Sequence, residues 1–163
     1  MKNQNWNTIL PAICVPLHED ESINEEELRQ YVSWLASFDE IGGLVTNGHT
    51  GEITSMSLEE RSRVTKIVAE EVGDRVLVIS GICSEGTQNA IVEAKAAEEA
   101  GADGILLMPP HIWLRFGMTQ EAVINHYKKI AEAIHIGIII HLYPFGTKAF
   151  YPVETLLELA KIP

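Results

Sequence analysis

The residues GGLVTNGHTGEITSMSLEER, at positions 42–61, carry the organising pattern of the chain. Leu44, Val45 and Thr46 form a short apolar run of the kind a buried strand needs. Gly48 and Gly51 then punctuate a turn. Ser57-Leu-Glu-Glu60 reads as a capping box, in which a hydroxyl and a carboxylate three residues apart satisfy each other's orphan amides. Val64, Ile67, Val68 and Val72 continue at helical spacing. The stretch therefore predicts a strand, a glycine-rich turn and a helix.

Working outward, the same unit recurs. Upstream, residues 9–15 are apolar and Pro16 ends them. Ser22-Ile-Asn-Glu25 reads as an earlier capping box, followed by Leu28, Tyr31, Val32 and Leu35 on one helical face. Downstream, residues 76–80 are continuously apolar, and an alanine-rich helix over 87–100 ends at Gly101, a good left-handed cap. Residues 104–108 form another apolar run, closed by Pro109-Pro110. After a loop, Val123, Tyr127, Ile130, Ala131 and Ile134 share a helical face. Residues 136–142 read as a fifth strand, and Pro152 opens a last helical segment through Leu156, Leu157 and Ala160. Five strands thus alternate with five helices, which places the chain in the α/β class with a parallel sheet. An open doubly wound sheet fits this count. So do the first five units of a (β/α)8 barrel, typically about 250 residues long. Periodicity does not choose between them, although no GxGxxG follows the first strand as a dinucleotide-binding domain would require.

Composition narrows the function. The 163 residues are 46% hydrophobic, 21% charged and 7% aromatic, ordinary values for one globular domain. Twelve basic against 23 acidic residues give a formal net charge of −11, a field that repels a phosphate backbone. No nucleic-acid partner is expected. No apolar run approaches the ~20 residues a membrane span needs, and the polar start MKNQNWNTIL lacks a signal-peptide core. Cys14 and Cys83, far apart in apolar context, read as small buried hydrophobes in a reducing compartment. A soluble cytoplasmic protein is the expectation.

Chemistry in parallel α/β folds collects beyond the C-terminal strand ends. Gly48 and Gly51 either supply positive φ for a plain strand-to-helix connection or turn backbone N–H groups toward a small anion, with Thr50 as a further donor. Gly81-Ile-Cys-Ser-Glu-Gly86 follows the third strand. Pro109-Pro-His111 leads into the exposed aromatics Trp113 and Phe116. At the fifth strand end, alternation puts Ile139, His141 and Tyr143 on one face. Tyr143 is then either a proton-relaying phenol at a barrel mouth or a packed ring with a satisfied hydroxyl. His49, Glu52, His111 and His141 are the candidates to gather around a metal. No two have ligand spacing on one element, and no HExxH is present, so neither metal nor cofactor is expected.

The succession TILPAICVPL, GLVTNGHTGEITSMSLEER, VLVISGI, AKAAEEAGADGILLMPP and IIIHLYP resembles the dihydrodipicolinate synthase / N-acetylneuraminate lyase family over nearly the whole chain. The most specific elements are the GxTGE loop with its Ser-Leu-Glu-Glu-Arg helix and the tyrosine after the fifth strand. The resemblance implies a (β/α)8 TIM barrel, of which this chain carries about the first five βα units. It implies a lyase of the class I aldolase type, acting on pyruvate or a related 2-oxo acid through a lysine Schiff base. It further implies a homo-oligomer, tetramer or dimer. Carried over, Gly48, Thr50, Gly51 and Glu52 match the loop that holds the pyruvate carboxylate, with His49 inside it. Tyr143 matches the proton-shuttling tyrosine. Lys148 falls where the synthases place an arginine for the second substrate's carboxylate; an exposed loop lysine is the alternative.

The departures are as informative. His49 stands where the family loop has a second threonine, no relay tyrosine occurs near Pro110 or His111, and Tyr143 is followed by Pro-Phe-Gly rather than Asn-x-Pro. These differences point away from lysine biosynthesis and toward another aldolase, lyase or dehydratase of the group. The Schiff-base lysine of the family lies on the sixth strand, beyond Pro163. Residues 1–163 are therefore expected to be the N-terminal portion of a single barrel domain. The alternative is a non-catalytic half-barrel that binds a small carboxylate or pairs with another chain.

Overall fold

The computed structural model describes residues 6–163, in the order α1 (Glu25–Leu35), β1 (Gly43–Thr46), α2 (Leu58–Val72), β2 (Leu77–Ile82), α3 (Thr87–Glu99), β3 (Gly104–Leu107), α4 (His111–Phe116), α5 (Gln120–Ala131), β4 (Gly137–Ile140) and α6 (Val153–Leu159). The four strands pair in parallel in chain order. A doubly wound sheet would reverse that order at a switch point and carry helices on both faces. Here the order never reverses, and α1 packs on α2, α2 on α3, α3 on α5 and α5 on α6. Alternate strand residues agree. Leu44 and Val78 pack among the side chains of α1 and α2, and Ile82, Ile105 and Leu107 among those of α3 and α5. The other strand face gathers Val45, Leu77 and Ile79 with Trp6, Leu10, Leu106 and Ile139, and no helix residue. One helical layer outside and an apolar strand face inside make the arc of an α/β barrel. Among the described residues, no helix is long and apolar enough to cross a membrane.

Four expectations are corrected. Residues 9–15 form no strand of the sheet. They touch its edge through isolated parallel bridges, Ile9 to Ile41 and Ala12 to Val45. Pro11 has no N–H to give, so the contact runs through Ile13 N–H to the Val45 carbonyl (3.0 Å) and Val45 N–H to the Pro11 carbonyl (2.9 Å). The sheet thus has four strands rather than five. The early capping box also fails. Ser22 bonds Asp20 instead, and Asn24 caps α1 by accepting from Glu27 N–H at 3.1 Å. The box at Ser57 and Glu60 forms as read. Residues 111–116, read as loop, make the short helix α4. Finally, left-handed backbone in the first loop falls on Asn47 (φ 52°) and Glu52 (φ 55°), not on Gly48 or Gly51.

Glycine matters on the inner face for another reason. A Cβ on Gly104 would stand 2.4 Å from the Trp6 ring, so the indole lies where that strand has no side chain and plugs the N-terminal end of the arc. The C-terminal end remains open.

Candidate active site

All four strand ends contribute to one cluster: His49 after β1, Cys83 after β2, His111 at the start of α4, and His141 and Tyr143 after β4. A buried polar network fixes the first two. Asn47, 1% exposed, directs its amide at the Arg61 carbonyl (3.0 Å), Thr65 Oγ1 (2.9 Å) and Ser80 Oγ (3.0 Å), tying β1 and β2 to α2. Gly81 permits this, because a Cβ there would lie 2.0 Å from the Asn47 carbonyl oxygen. Arg61, in the helix that the capping box starts, pairs with Glu93 at 2.8 Å. Glu93 in turn accepts from Cys83 N–H (3.2 Å) and Ser84 Oγ (2.6 Å), so the ion pair sets the loop after β2. The next residue of that loop, Glu85, accepts from the N–H groups of His111 and Ile112, both at 3.0 Å. Six residues are too few for a self-supporting helix, and this carboxylate anchors α4 and its histidine.

Within the cluster, His49 Nε2 lies 3.2 Å from His111 Nε2 and 3.3 Å from Tyr143 Oη. Cys83 Sγ lies 3.5 Å from His111 Nε2. The His141 ring stands edge-on to Tyr143, centroids 5.0 Å apart. Burial, aided by the neighbouring imidazole, holds His49 and His141 below the ordinary histidine pKa. Burial, with Glu93 and Glu85 nearby, pushes the Cys83 thiol up to about 11. Burial, with Cys83 and Glu85, pushes the Tyr143 phenol up to about 12. At neutral pH the thiol and phenol keep their protons while His49 and His141 are uncharged. The arrangement starts uncharged, so a proton can pass along hydroxyl and imidazole only where each group gives one proton as it takes another.

The residues expected from sequence separate into three groups. Tyr143 and His49 meet directly. Gly48, Thr50 and Gly51 build the turn beside them: Gly51 N–H and Ile53 N–H both donate to the Gly48 carbonyl. A Cβ on Gly51 would crowd the Ile13 carbonyl at 3.0 Å. Among the described residues the N–H groups of His49 and Thr50 donate to no protein acceptor, and Thr50 is exposed. Lys148 stands apart. Its backbone N–H reaches the Leu114 carbonyl near the end of α4, and its ammonium makes no bond to the cluster. Cys83 and Cys14 correct their reading as buried hydrophobes, since Cys83 is half-buried in the cluster and Cys14 is exposed. Trp113 is likewise half-buried against His126, with only Phe116 fully exposed. Glu93 had no local signal, and the motifs that hold Arg61, Cys83 and Glu85 gave these three side chains no role. Their partners lie on other elements.

Comparison with known proteins yields one family. A model described as the dihydrodipicolinate synthetase family matches residues 5–163. The chain is similar to 4-hydroxy-tetrahydrodipicolinate synthase of Neisseria meningitidis serogroup B, 38% identical over 154 residues that cover 94% of this chain and 52% of that protein. Among solved structures it is similar to the dihydrodipicolinate synthase of Acinetobacter baumannii complexed with pyruvate, with TM-score 0.85 and 32% identity, covering 96% of this chain and 52% of that one. It is also similar to the N-acetylneuraminate lyase of Mycoplasma synoviae, with TM-score 0.78 and 25% identity, covering 94% and 50%. The chain spans about half the length of the curated relatives it matches.

Proposed function

The chain belongs to the dihydrodipicolinate synthetase family, and from that premise we propose that residues 1–163 are the N-terminal portion of a single barrel domain that works as a Schiff-base lyase. The substrate is pyruvate or a related 2-oxo acid. A lysine on the strand after α6, beyond Pro163, forms the imine at the keto carbon and releases water. The Thr50 hydroxyl and the backbone N–H groups of His49 and Thr50 hold the carboxylate. Tyr143 gives its proton to the leaving oxygen and recovers it, resupplied through His49 and, behind it, His111. Lys148 serves a second acidic group on larger substrates.

The observation that carries this reading is the 3.3 Å approach of Tyr143 Oη to His49 Nε2, which joins the first and last strand ends across the mouth. The imidazole stands where the family loop has threonine, so this relay runs through a ring nitrogen rather than a hydroxyl. The same proposal makes the protein a cytoplasmic homo-oligomer. Exposed Trp34 and Phe38, edge to face at 5.2 Å, supply apolar surface of the kind association covers.

Borohydride reduction tests the chemistry. Protein that extends past Pro163, incubated with pyruvate and reduced, should gain one covalent adduct on one lysine, found by mass spectrometry. In Tyr143→Phe the adduct should form at least tenfold more slowly while the fold is kept. Absence of any lysine adduct across a panel of 2-oxo acids would sink the reading.

A further inference from the structure

Three of the groups that converge at the mouth, two imidazoles and a thiol, are of types that bind metal ions. We propose that His49 Nε2, Cys83 Sγ and His111 Nε2 form a binding site for a single soft divalent transition-metal ion, zinc or a metal of like preference. The inference is independent of the Schiff-base reading and stands whether or not a lysine adduct forms.

The distances carry it. Zinc binds imidazole nitrogen at about 2.0–2.1 Å and thiolate sulfur at about 2.3 Å in a tetrahedron. Those bonds at tetrahedral angles put two nitrogens about 3.3 Å apart and a nitrogen and a sulfur about 3.6 Å apart. The protein has 3.2 Å between the two Nε2 atoms and 3.5 Å from Cys83 Sγ to His111 Nε2. All three ligand atoms lie within 4.8 Å of one another, so only the His49–Cys83 edge has to close. Cations that prefer oxygen ligands, calcium and magnesium, find no carboxylate in the trio. A thiol with two imidazoles selects zinc, cobalt or copper.

The surroundings suit the assignment. Metal-bound imidazoles commonly turn their other N–H toward a carboxylate, which fixes the tautomer. His111 Nδ1 faces Glu85 Oε1 at 3.9 Å, and the same carboxylate fixes the backbone at His111. The Arg61–Glu93 pair holds the Cys83 amide in the same way from the other side. The three ligands come from three strand ends, His49 and His111 being 62 residues apart, so no spacing motif announces them. Three protein ligands leave a fourth position for water or a substrate oxygen, as in zinc sites that do chemistry. Loading the metal releases the Cys83 thiol proton to solvent and takes both Nε2 lone pairs. Tyr143 then loses His49 Nε2 as an acceptor, so a metal-loaded mouth and the Tyr143–His49 hydrogen bond exclude each other.

The test is a cobalt titration of the protein stripped with chelator and dialysed. One equivalent of Co(II) should bind saturably, with a thiolate-to-cobalt charge-transfer band in the near ultraviolet and the intense visible bands of a four-coordinate ion. Zinc should displace it. Cys83→Ser should lose the charge-transfer band, and Cys14→Ser should keep it. Glu85→Gln, which keeps all three ligand side chains and one acceptor oxygen for the backbone of α4, should weaken binding by about 10–100-fold. Far-ultraviolet circular dichroism identifies any variant that is merely unfolded. No saturable equivalent, a band that survives Cys83→Ser, or unchanged affinity in Glu85→Gln would each overturn the site.

Discussion

The two flanks of the arc are held by different means. Every residue of β1 and β2 is buried, whereas in β4 Gly137 is exposed and Ile138, Ile139 and Ile140 are half-buried. On the first flank, two layers of polar contact bind the strand ends to the helices behind them: the Asn47–Thr65–Ser80 group and the Arg61–Glu93 pair. On the second, the segment after β4 is secured by backbone bonds, His141 N–H to the Leu107 carbonyl and Lys148 N–H to the Leu114 carbonyl, and by buried Ala149 and Tyr151. His49 and Cys83 therefore sit on a wall cross-linked by side chains, and Tyr143 on one held chiefly by backbone bonds. Under the proposed relay, such a division would keep the groups that orient Tyr143 in place independently of the segment that carries it.

Breaking the cross-linked wall should have the largest effect. In Gly81→Ala the new methyl would lie 2.0 Å from the Asn47 carbonyl oxygen and 2.7 Å from its carbon, both backbone atoms that no rotamer change can move aside. Strand β2 and the loop at Asn47 must separate. Urea denaturation should show a loss of about 3–4 kcal/mol with little change in m-value. A loss under about 1 kcal/mol would mean that the cross-links do not hold the wall.

Mild acid should act on the other flank. The polar group at Asn47, Thr65 and Ser80 contains nothing that titrates. Behind β3, His126 is 3% exposed, its Nδ1 paired with Thr87 Oγ1 at 2.9 Å and its Nε2 buried without a partner among the described residues. Burial lowers its pKa from 6.5 to about 4. The folded state thus binds the proton later than the unfolded chain does. The stability tied to the neutral ring is intact above pH 6.5 and declines as pH falls toward 4, by about 3 kcal/mol in all. His49 and His141 change in the same direction but are more exposed and count for less. His126→Gln should remove most of the slope. Hydrogen exchange at pH 5 should loosen α3 and α5 before α2; uniform loosening would erase the contrast.

The same contrast explains what the sequence could disclose. Strands β1, β2 and β3 were legible because their burial on both faces writes a continuous apolar run, and the Ser57 cap because its partner is three residues away. Residues 9–15 look no less apolar, yet Pro11 and Pro16 leave only bridges at the sheet edge. Ser22 and Glu25 have the right spacing for a box, but Asp20 takes the serine hydroxyl first at 2.6 Å. Helix α4 depends on a carboxylate more than twenty residues upstream, a distance that no local pattern spans. In the mouth, Tyr143 and the loop at 48–51 were visible through their resemblance to a family. His111 was named only as one of four scattered candidates for a metal and Cys83 was read as a buried hydrophobe, because their meaning lies in convergence. Sequence alternation fixes which face a side chain takes, not which strand ends meet.

The smallest expected change sharpens the comparison from its loose end. Gly137 has the same residue type and the same inner face as Gly81, but an added Cβ would stand 3.4 Å from the Trp6 ring, ordinary van der Waals contact with a side chain able to shift. Alanine also restricts the unfolded chain more than glycine does, a gain of about 0.4–1 kcal/mol where the native backbone accepts it. Contact and entropy therefore nearly cancel, and Gly137→Ala should stay within about 0.5 kcal/mol of the parent in the same urea titration. Two glycines on adjoining parts of one sheet face would then differ by several kcal/mol for a single reason. One faces the backbone of a turn, and the other faces a side-chain ring able to shift. Equal costs at the two positions would show that Trp6 closes the floor as tightly as Asn47 closes the wall, and the contrast between the two flanks would be lost.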